Sequence, residues 1–232
     1  MTSERMMAIA LGILLILGIM FGILNSVPAL EKPDYLATLA TIRTHVLVAV
    51  FFQAAMAITY VCIAVLFYHI IKKHGGKLGM AYLGFRLIGA AFLFVGIASL
   101  SLLLTLSQNF ISAGSPESGY FQTMGEMLRK GRDLLNHVGM ILPWMIGSLL
   151  LCYSMLRMKA IPAWLSVWGI AASVASILAT LILMLEFIKI VTPIYFILNI
   201  PYALFELVLA GFLLVRGFNP GMVKSIENGG IA

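Results

Sequence analysis

Long apolar runs separated by short polar breaks dominate the chain. A helix that crosses a bilayer needs about 20 mostly apolar residues. Six runs meet that length: residues 6–24, 45–71, 80–106, 138–156, 163–185 and 195–215. None alternates with the period of two that a membrane β-strand would require, so each predicts a helix. Helices also satisfy their own backbone polar groups where water is absent. The pattern therefore predicts an all-α fold, an integral membrane bundle of six transmembrane helices forming one domain over residues 1–232.

The connections carry a second pattern. Residues 26–44 hold Pro28 and Pro33, and a helix starting at Pro33 would run into the second span. Residues 107–137 form the longest connection, opening with the turn-rich SAGSPESG. Beyond it Tyr120, Phe121, Met124, Met127, Leu128, Leu134 and Leu135 recur at helical spacing. This predicts an outer amphipathic helix over 119–135, between spans 3 and 4, with Phe121, Met124 and Leu128 against the bilayer or the bundle. Glu126 with Lys130, and Arg129 with Asp133, stand four apart on its polar face. A solvated connector is the alternative.

Within the spans, Gly18 and Gly22 form a GxxxG pair suited to close helix packing. The fifth span gathers Gly169, Ala172, Ser173, Ser176, Ala179 and Thr180 on one side. Small residues there predict a packing face, with a serine-lined groove as the alternative. Pro143 and Pro201 each remove a backbone donor, which would kink a helix and free carbonyls near Asn199 to face a cavity. Positions 85–95 and 205–215 match at six of eleven residues, which makes Arg86 and Glu206 counterparts. A duplication would imply inverted repeats, but no other spans match comparably.

Composition agrees with a membrane protein. The chain is 62% hydrophobic and 10% charged, against about 25% charged in soluble domains. The net charge of +6 reflects basic residues at the ends of apolar runs, which speaks against a nucleic-acid partner and for membrane lipids. With six spans both termini share a side. Arg5, Lys72, Lys73, Lys77, Arg157, Lys159, Arg216 and Lys224 fall there, against six basic residues opposite. The Lys and Arg bias makes both termini cytoplasmic. The first run reads as a transmembrane anchor rather than a signal peptide, being long for a signal core and preceded only by Arg5. The tail after the last span is too short and polar to form a domain. Trp144, Trp164, Trp168, Tyr120 and Tyr195 lie near span ends, as an aromatic belt requires. Cys62 and Cys152 read as free core thiols.

Candidate chemistry rests on two ionisable residues inside spans, Arg86 and Glu206. A charge at a helix centre costs roughly 2.5–3.5 kcal/mol on the insertion scale and is a functional candidate by default. The candidate ligand-binding set is Glu206, Arg86, Gln53, Asn199 and Tyr202, with Tyr60, Ser148 and Ser173 as further buried polar residues. By helical rise Glu206 lies roughly 15 Å and Arg86 roughly 9 Å inside the cytoplasmic boundary. Side chains lean toward their own helix N-terminus, so Arg86 is expected to reach for the interface and Glu206 to be protonated or hydrogen-bonded to Asn199, Tyr202 or Gln53. No P-loop, HExxH or CxxC is present, and no catalytic group, cofactor or metal site is assigned. His45 and His137 share the outer span ends and could ligate a metal or haem; hydrogen-bonded interfacial histidines are the plainer reading. His69 and His74 read as interface residues.

The segments FRLIGA, LLNHVGMILPWMIGSLLLCYSMLRMKAIPAWLSVWGI and PYALFELVLAGFLLVRGF resemble the bacterial membrane family called domain of unknown function 4386. Arg86, His137, Gly147, Pro162, Glu206 and Gly217 fit its pattern. Members often carry an acidic residue shortly after the arginine, where Gly89 and Ala90 stand here. The resemblance implies a six-span bacterial membrane protein and no particular activity. The leading functional expectation is binding or translocation of a small or lipophilic molecule around Glu206. A non-catalytic structural or sensory subunit is the alternative. A lipid-modifying enzyme comes third, because no nucleophile–base pair is visible.

Overall fold

The computed structural model describes residues 3–72, 75–114, 119–190 and 192–219. His74, residues 115–118 of the expected turn after span 3, and the tail from 220 onward lie outside the described residues. Every regular element within them is helical. Five long helices are separate spans: α1 (Ser3–Leu24), α3 (Arg43–Ile71), α4 (Gly76–Ser112), α7 (Ala163–Met184) and α8 (Pro193–Val215). The sixth span is α6 (Ile141–Met158), which continues from α5 (Gly119–Leu134) through a π-helical stretch, Leu135–Met140. A 3₁₀ turn, Pro28–Glu31, and the short α2 (Tyr35–Thr41) fill the connection between α1 and α3. The six-span all-α bundle expected from the apolar runs is the fold that forms.

The spans close into a ring: α1 packs on α3, α3 on α4, α4 on α6, α6 on α7, α7 on α8, and α8 back on α1. Lipid removes the hydrophobic drive between helices, so close packing and hydrogen bonds must hold such a ring together. Small residues supply the closeness. Gly18 and Gly22 of α1 face Tyr60 and Met56 of α3. All six small residues of the α7 face are buried. A Cβ on Gly169 would collide with Cys152 of α6 and Phe205 of α8. Ser173 and Thr180 donate to carbonyls of their own helix, at 2.7 and 2.9 Å, so this face is packing and not a serine-lined groove.

Arg5 locks the ring where its two ends meet. Its Nη1 donates to Leu213 O (3.1 Å) and its Nη2 to Leu214 O (2.7 Å) and Val215 O (3.2 Å). A cation at a helix C-terminus also meets the negative end of the helix dipole. On the same side Asn219 Nδ2 donates to Lys159 O at 2.6 Å, tying the chain after α8 to the turn after α6.

The 37 residues of α4 make a rod of about 55 Å, longer than the roughly 30 Å bilayer core. Its C-terminal part carries a second core, in which Leu100, Leu103 and Leu104 meet Leu30, Leu36 and Leu39. The amphipathic α5 packs there, with Phe121, Met124 and Leu128 half-buried and Gly125 buried. The expected pairs within α5 are replaced by longer-range partners. Lys130 pairs with Glu186 at 2.9 Å, and Arg129 Nη1 donates to Leu30 O at 3.1 Å.

The π stretch has a local cause. Pro143 cannot donate to the carbonyl four residues back, so the helix is already interrupted near Gly139. One wide turn there re-aims Asn136 and His137, and π-bulges of this kind cluster at functional sites. Cys62 is a correction: it is exposed, not in the core. It shares an outward stripe of α3 with the exposed Ile58 and Val65, and hydropathy alone does not separate a lipid-facing side from a core-facing one.

Candidate functional site

Arg86 and Tyr82 of α4, Trp144 and Ser148 of α6, and Tyr202 and Glu206 of α8 meet inside the ring. Helical geometry dictates the pairing within each element, because residues four apart stand one above the other on one face. Arg86 is only 2% exposed. Its Nη2 donates to Ser148 Oγ at 2.9 Å and lies 3.5 Å from Tyr202 Oη. Its guanidinium carbon is 3.9 Å from the Trp144 ring centroid and 5.5 Å from that of Tyr82. Gly147 makes the room, since a Cβ there would press on Arg86 Cγ and Cδ. Trp144 is held from behind by the Tyr60 ring of α3, at 4.1 Å between centroids.

Arg86 therefore does not reach for the interface as expected. Acceptors on α6 and α8 and two aromatic faces hold it inside the bundle, which offsets the cost of withdrawing it from water. Among the described residues no ion pair joins it to Glu206. Glu206 is buried and stands one helical turn from Tyr202 on the same face of α8. Tyr202 Oη stands 2.5 Å from Ser148 Oγ, and Ser148 Oγ is 3.0 Å from Trp144 O. Each hydroxyl has a single proton to give. If Ser148 gives its own to Trp144 O, Tyr202 gives its proton to Ser148.

Two sequence candidates lie elsewhere. Gln53 Nε2 donates to Leu93 O (3.0 Å) and to Asn136 Oδ1 (3.3 Å). Gly96 allows this, because a Cβ there would strike both amides. Asn199 Nδ2 donates to Tyr195 O at 2.8 Å, and its Oδ1 accepts from Ser176 Oγ. Neither residue has Glu206 as a hydrogen-bond partner. Tyr195, Asn199, Tyr202 and Glu206 nevertheless fall at spacings of four, three and four, one continuous polar stripe along α8.

Trp144 was assigned to an aromatic belt by its place near a span end, yet it is buried against Arg86. Its position four residues before Ser148 was the only signal available. Tyr195 leaves the belt as well: it is buried, and its Oη is 2.8 Å from His137 Nδ1. His45 Nε2 lies 3.1 Å from Ser26 O, so each of the two histidines takes a separate partner. Neither Ser148 nor Ser173 shares a hydrogen bond with a carboxylate or imidazole in the contacts described above. Two clefts, of about 540 and 430 Å³, lie at the α5 end of the molecule, and neither includes a residue of the Arg86 cluster.

The family described as "Domain of unknown function (DUF4386)" matches the chain over residues 10–217. No curated protein and no solved structure matches it.

Proposed function

The chain belongs to the DUF4386 family, and we propose that it binds or moves a small or lipophilic molecule at the polar centre formed by Arg86, Tyr202 and Glu206. Its setting is a bacterial cytoplasmic membrane, with both termini on the cytoplasmic side. The observation that carries this reading is Arg86. Its Nε and Nη1 have no hydrogen-bond partner among the described residues, although the side chain is buried. A guanidinium has five donors, and each buried donor left unpaired costs about 1–3 kcal/mol. A molecule with a carbonyl or carboxylate oxygen would take up those donors, and Glu206 would anchor a donor on the same molecule. Gln53 and Asn199 are left out of this site because their amide nitrogens bond Leu93 O and Tyr195 O, away from Arg86.

A structural or sensory subunit is the competing reading. The close stacking of Trp144 on Arg86 supports it, because a cation–π contact in a dry core needs no ligand. Native mass spectrometry on gently extracted protein separates the two. The binding reading expects an added mass on the wild type that is lost in both Arg86→Gln and Glu206→Gln. Identical spectra for all three, with no added mass on the wild type, would leave only the structural role.

A further inference from the structure

The 540 Å³ cleft lies away from that centre, where α5 meets the connection from α7 to α8. Its size is in the range of small-molecule sites. Three cations, Arg129, Lys130 and Lys189, and three carboxylates, Glu31, Asp133 and Glu186, line it. This balance sets the ligand class. A site for a free anion would carry excess positive charge, whereas a lining of paired opposite charges complements a molecule that carries both signs.

The other wall is apolar, with Leu134, Leu183, Met184 and Ile188. Leu134 and Met184 are exposed, so this wall offers apolar surface that acyl chains can cover. The cleft stands where α7 ends and α8 begins, and the ends of bilayer-crossing helices come near the headgroup layer.

Backbone geometry adds an independent sign. Glu186 adopts the left-handed conformation, φ 61°, just past the end of α7. Phe187 N donates to Ile182 O at 3.1 Å there, the helix-ending arrangement in which glycine is usual. A carboxylate is kept at that strained position and is turned to Lys130. Both side chains are mostly exposed, 70% and 75%, so the pair contributes little by itself and exchanges partners easily.

We propose that this cleft binds the headgroup of a zwitterionic phospholipid with a hydrogen-bonding ammonium, as in phosphatidylethanolamine. The phosphate sits against Arg129, Lys130 and Lys189. The ammonium donates to Glu186 and to Asp133 or Glu31, and the Lys130–Glu186 pair opens to admit it. The acyl chains leave over Leu134 and Met184.

The test offers the purified protein phosphatidylethanolamine, phosphatidylcholine or phosphatidylglycerol of matched chain length and counts retained lipid by native mass spectrometry. Phosphatidylethanolamine is expected to be retained several-fold better than the other two, because the second lacks ammonium N–H donors and the third lacks the cation. Lys130→Gln combined with Glu186→Gln, both at exposed positions, removes that preference. Equal retention of all three lipids overturns the proposal, as does a preference that survives the double change. Glu206→Gln keeps the preference if the cleft is the site. Loss of the preference in Glu206→Gln would assign the lipid to the central cluster and overturn the cleft as its site.

Discussion

Arg86 meets Tyr202 across the bundle, and among the described residues it makes no ion pair with Glu206. Arg86 Nη2 lies 3.5 Å from Tyr202 Oη, and Glu206 stands one turn beyond that tyrosine on the same face of α8. The cause is directional. Consecutive spans run in opposite senses, and each side chain leans toward its own helix N-terminus. Arg86 on the third span and Glu206 on the sixth therefore lean in opposite directions.

Tyr202 should therefore be coupled to Ser148. Tyr202→Phe removes a buried hydroxyl from two polar neighbours and is expected to cost about 1–3 kcal/mol. Unfolding of Tyr202→Phe, Ser148→Ala and the double variant forms a cycle, with an expected coupling of about 0.5–3 kcal/mol. Simple additivity of the two changes would mean that the 2.5 Å contact has no energetic weight.

Glu206→Gln and Arg86→Gln should differ in size. Glutamine at 206 keeps the shape and among the described residues breaks no ion pair with Arg86, so its melting temperature should stay near that of the wild type. Arg86→Gln loses hydrogen bonds from a charged donor, about 1.5–3 kcal/mol each, and a desolvated cation–π contact of about 2 kcal/mol. Melting temperatures of both variants and their combination decide the matter. Severe loss in each single variant, relieved in the double, would indicate a direct pair after all.

The glycines divide by what surrounds them. Gly169→Val should loosen the contact among α6, α7 and α8, since Cys152 and Phe205 occupy the space a side chain needs; overpacking of this kind costs about 1–3 kcal/mol. Nothing lies within 4 Å of a Cβ at Gly211 in α8, so Gly211→Ala should stabilise by about 0.5–1 kcal/mol through helix preference. Melting curves in one detergent give both values, and a tolerated Gly169→Val would contradict the packing described.

Glu186 sets a small acid dependence. Its hydrogen bond from Lys130 holds the carboxyl below its ordinary range. A depressed carboxyl contributes stability above its unfolded pKa, about 4.3, and that contribution fades as pH falls through the lower folded value. The stability difference between wild type and Glu186→Gln should accordingly shrink on going from neutral pH to about pH 3. A difference that widened on acidification would reverse the assignment. Glu186→Gly removes the pair as well, but relieves a left-handed backbone that costs of order 1–3 kcal/mol, and should melt no lower than the wild type.

Sidedness can be read with single cysteines. Lys77 and Tyr120 are both exposed, and the Lys and Arg bias puts position 77 inside and position 120 outside. In a variant with Cys62 and Cys152 replaced by serine, an impermeant thiol reagent added to intact cells should label Tyr120→Cys and spare Lys77→Cys. Labelling of Lys77→Cys would invert the topology.

The spans were legible because each apolar run has one explanation, and α5 because its period changes where its composition does. The small-residue face of α7 was legible because small residues at that spacing favour a close neighbour. The site was legible only in part. Arg86, Tyr202 and Glu206 announce themselves as polar groups in lipid. Gln53 and Asn199 announce themselves equally, yet serve other contacts, because a linear pattern does not say which helix faces which. Trp144 was misread for a different reason: a tryptophan near a span end usually marks the interface, and the π turn that lets this one enter the core depends on a backbone defect around Pro143.

The seam between α1 and α8 has a consequence for biosynthesis. The ribosome delivers α1 first and α8 last, so the barrel of helices stands open until the final segment has entered the bilayer. During that interval Arg86 has Ser148 to bond but no Tyr202, Arg5 has no carbonyls to cap, and the small face of α7 has only α6 beside it. One insertion event completes all three. A chain that stalls before residue 193 would thus hold Arg86 on α6 alone and leave the ring open where Arg5 should close it.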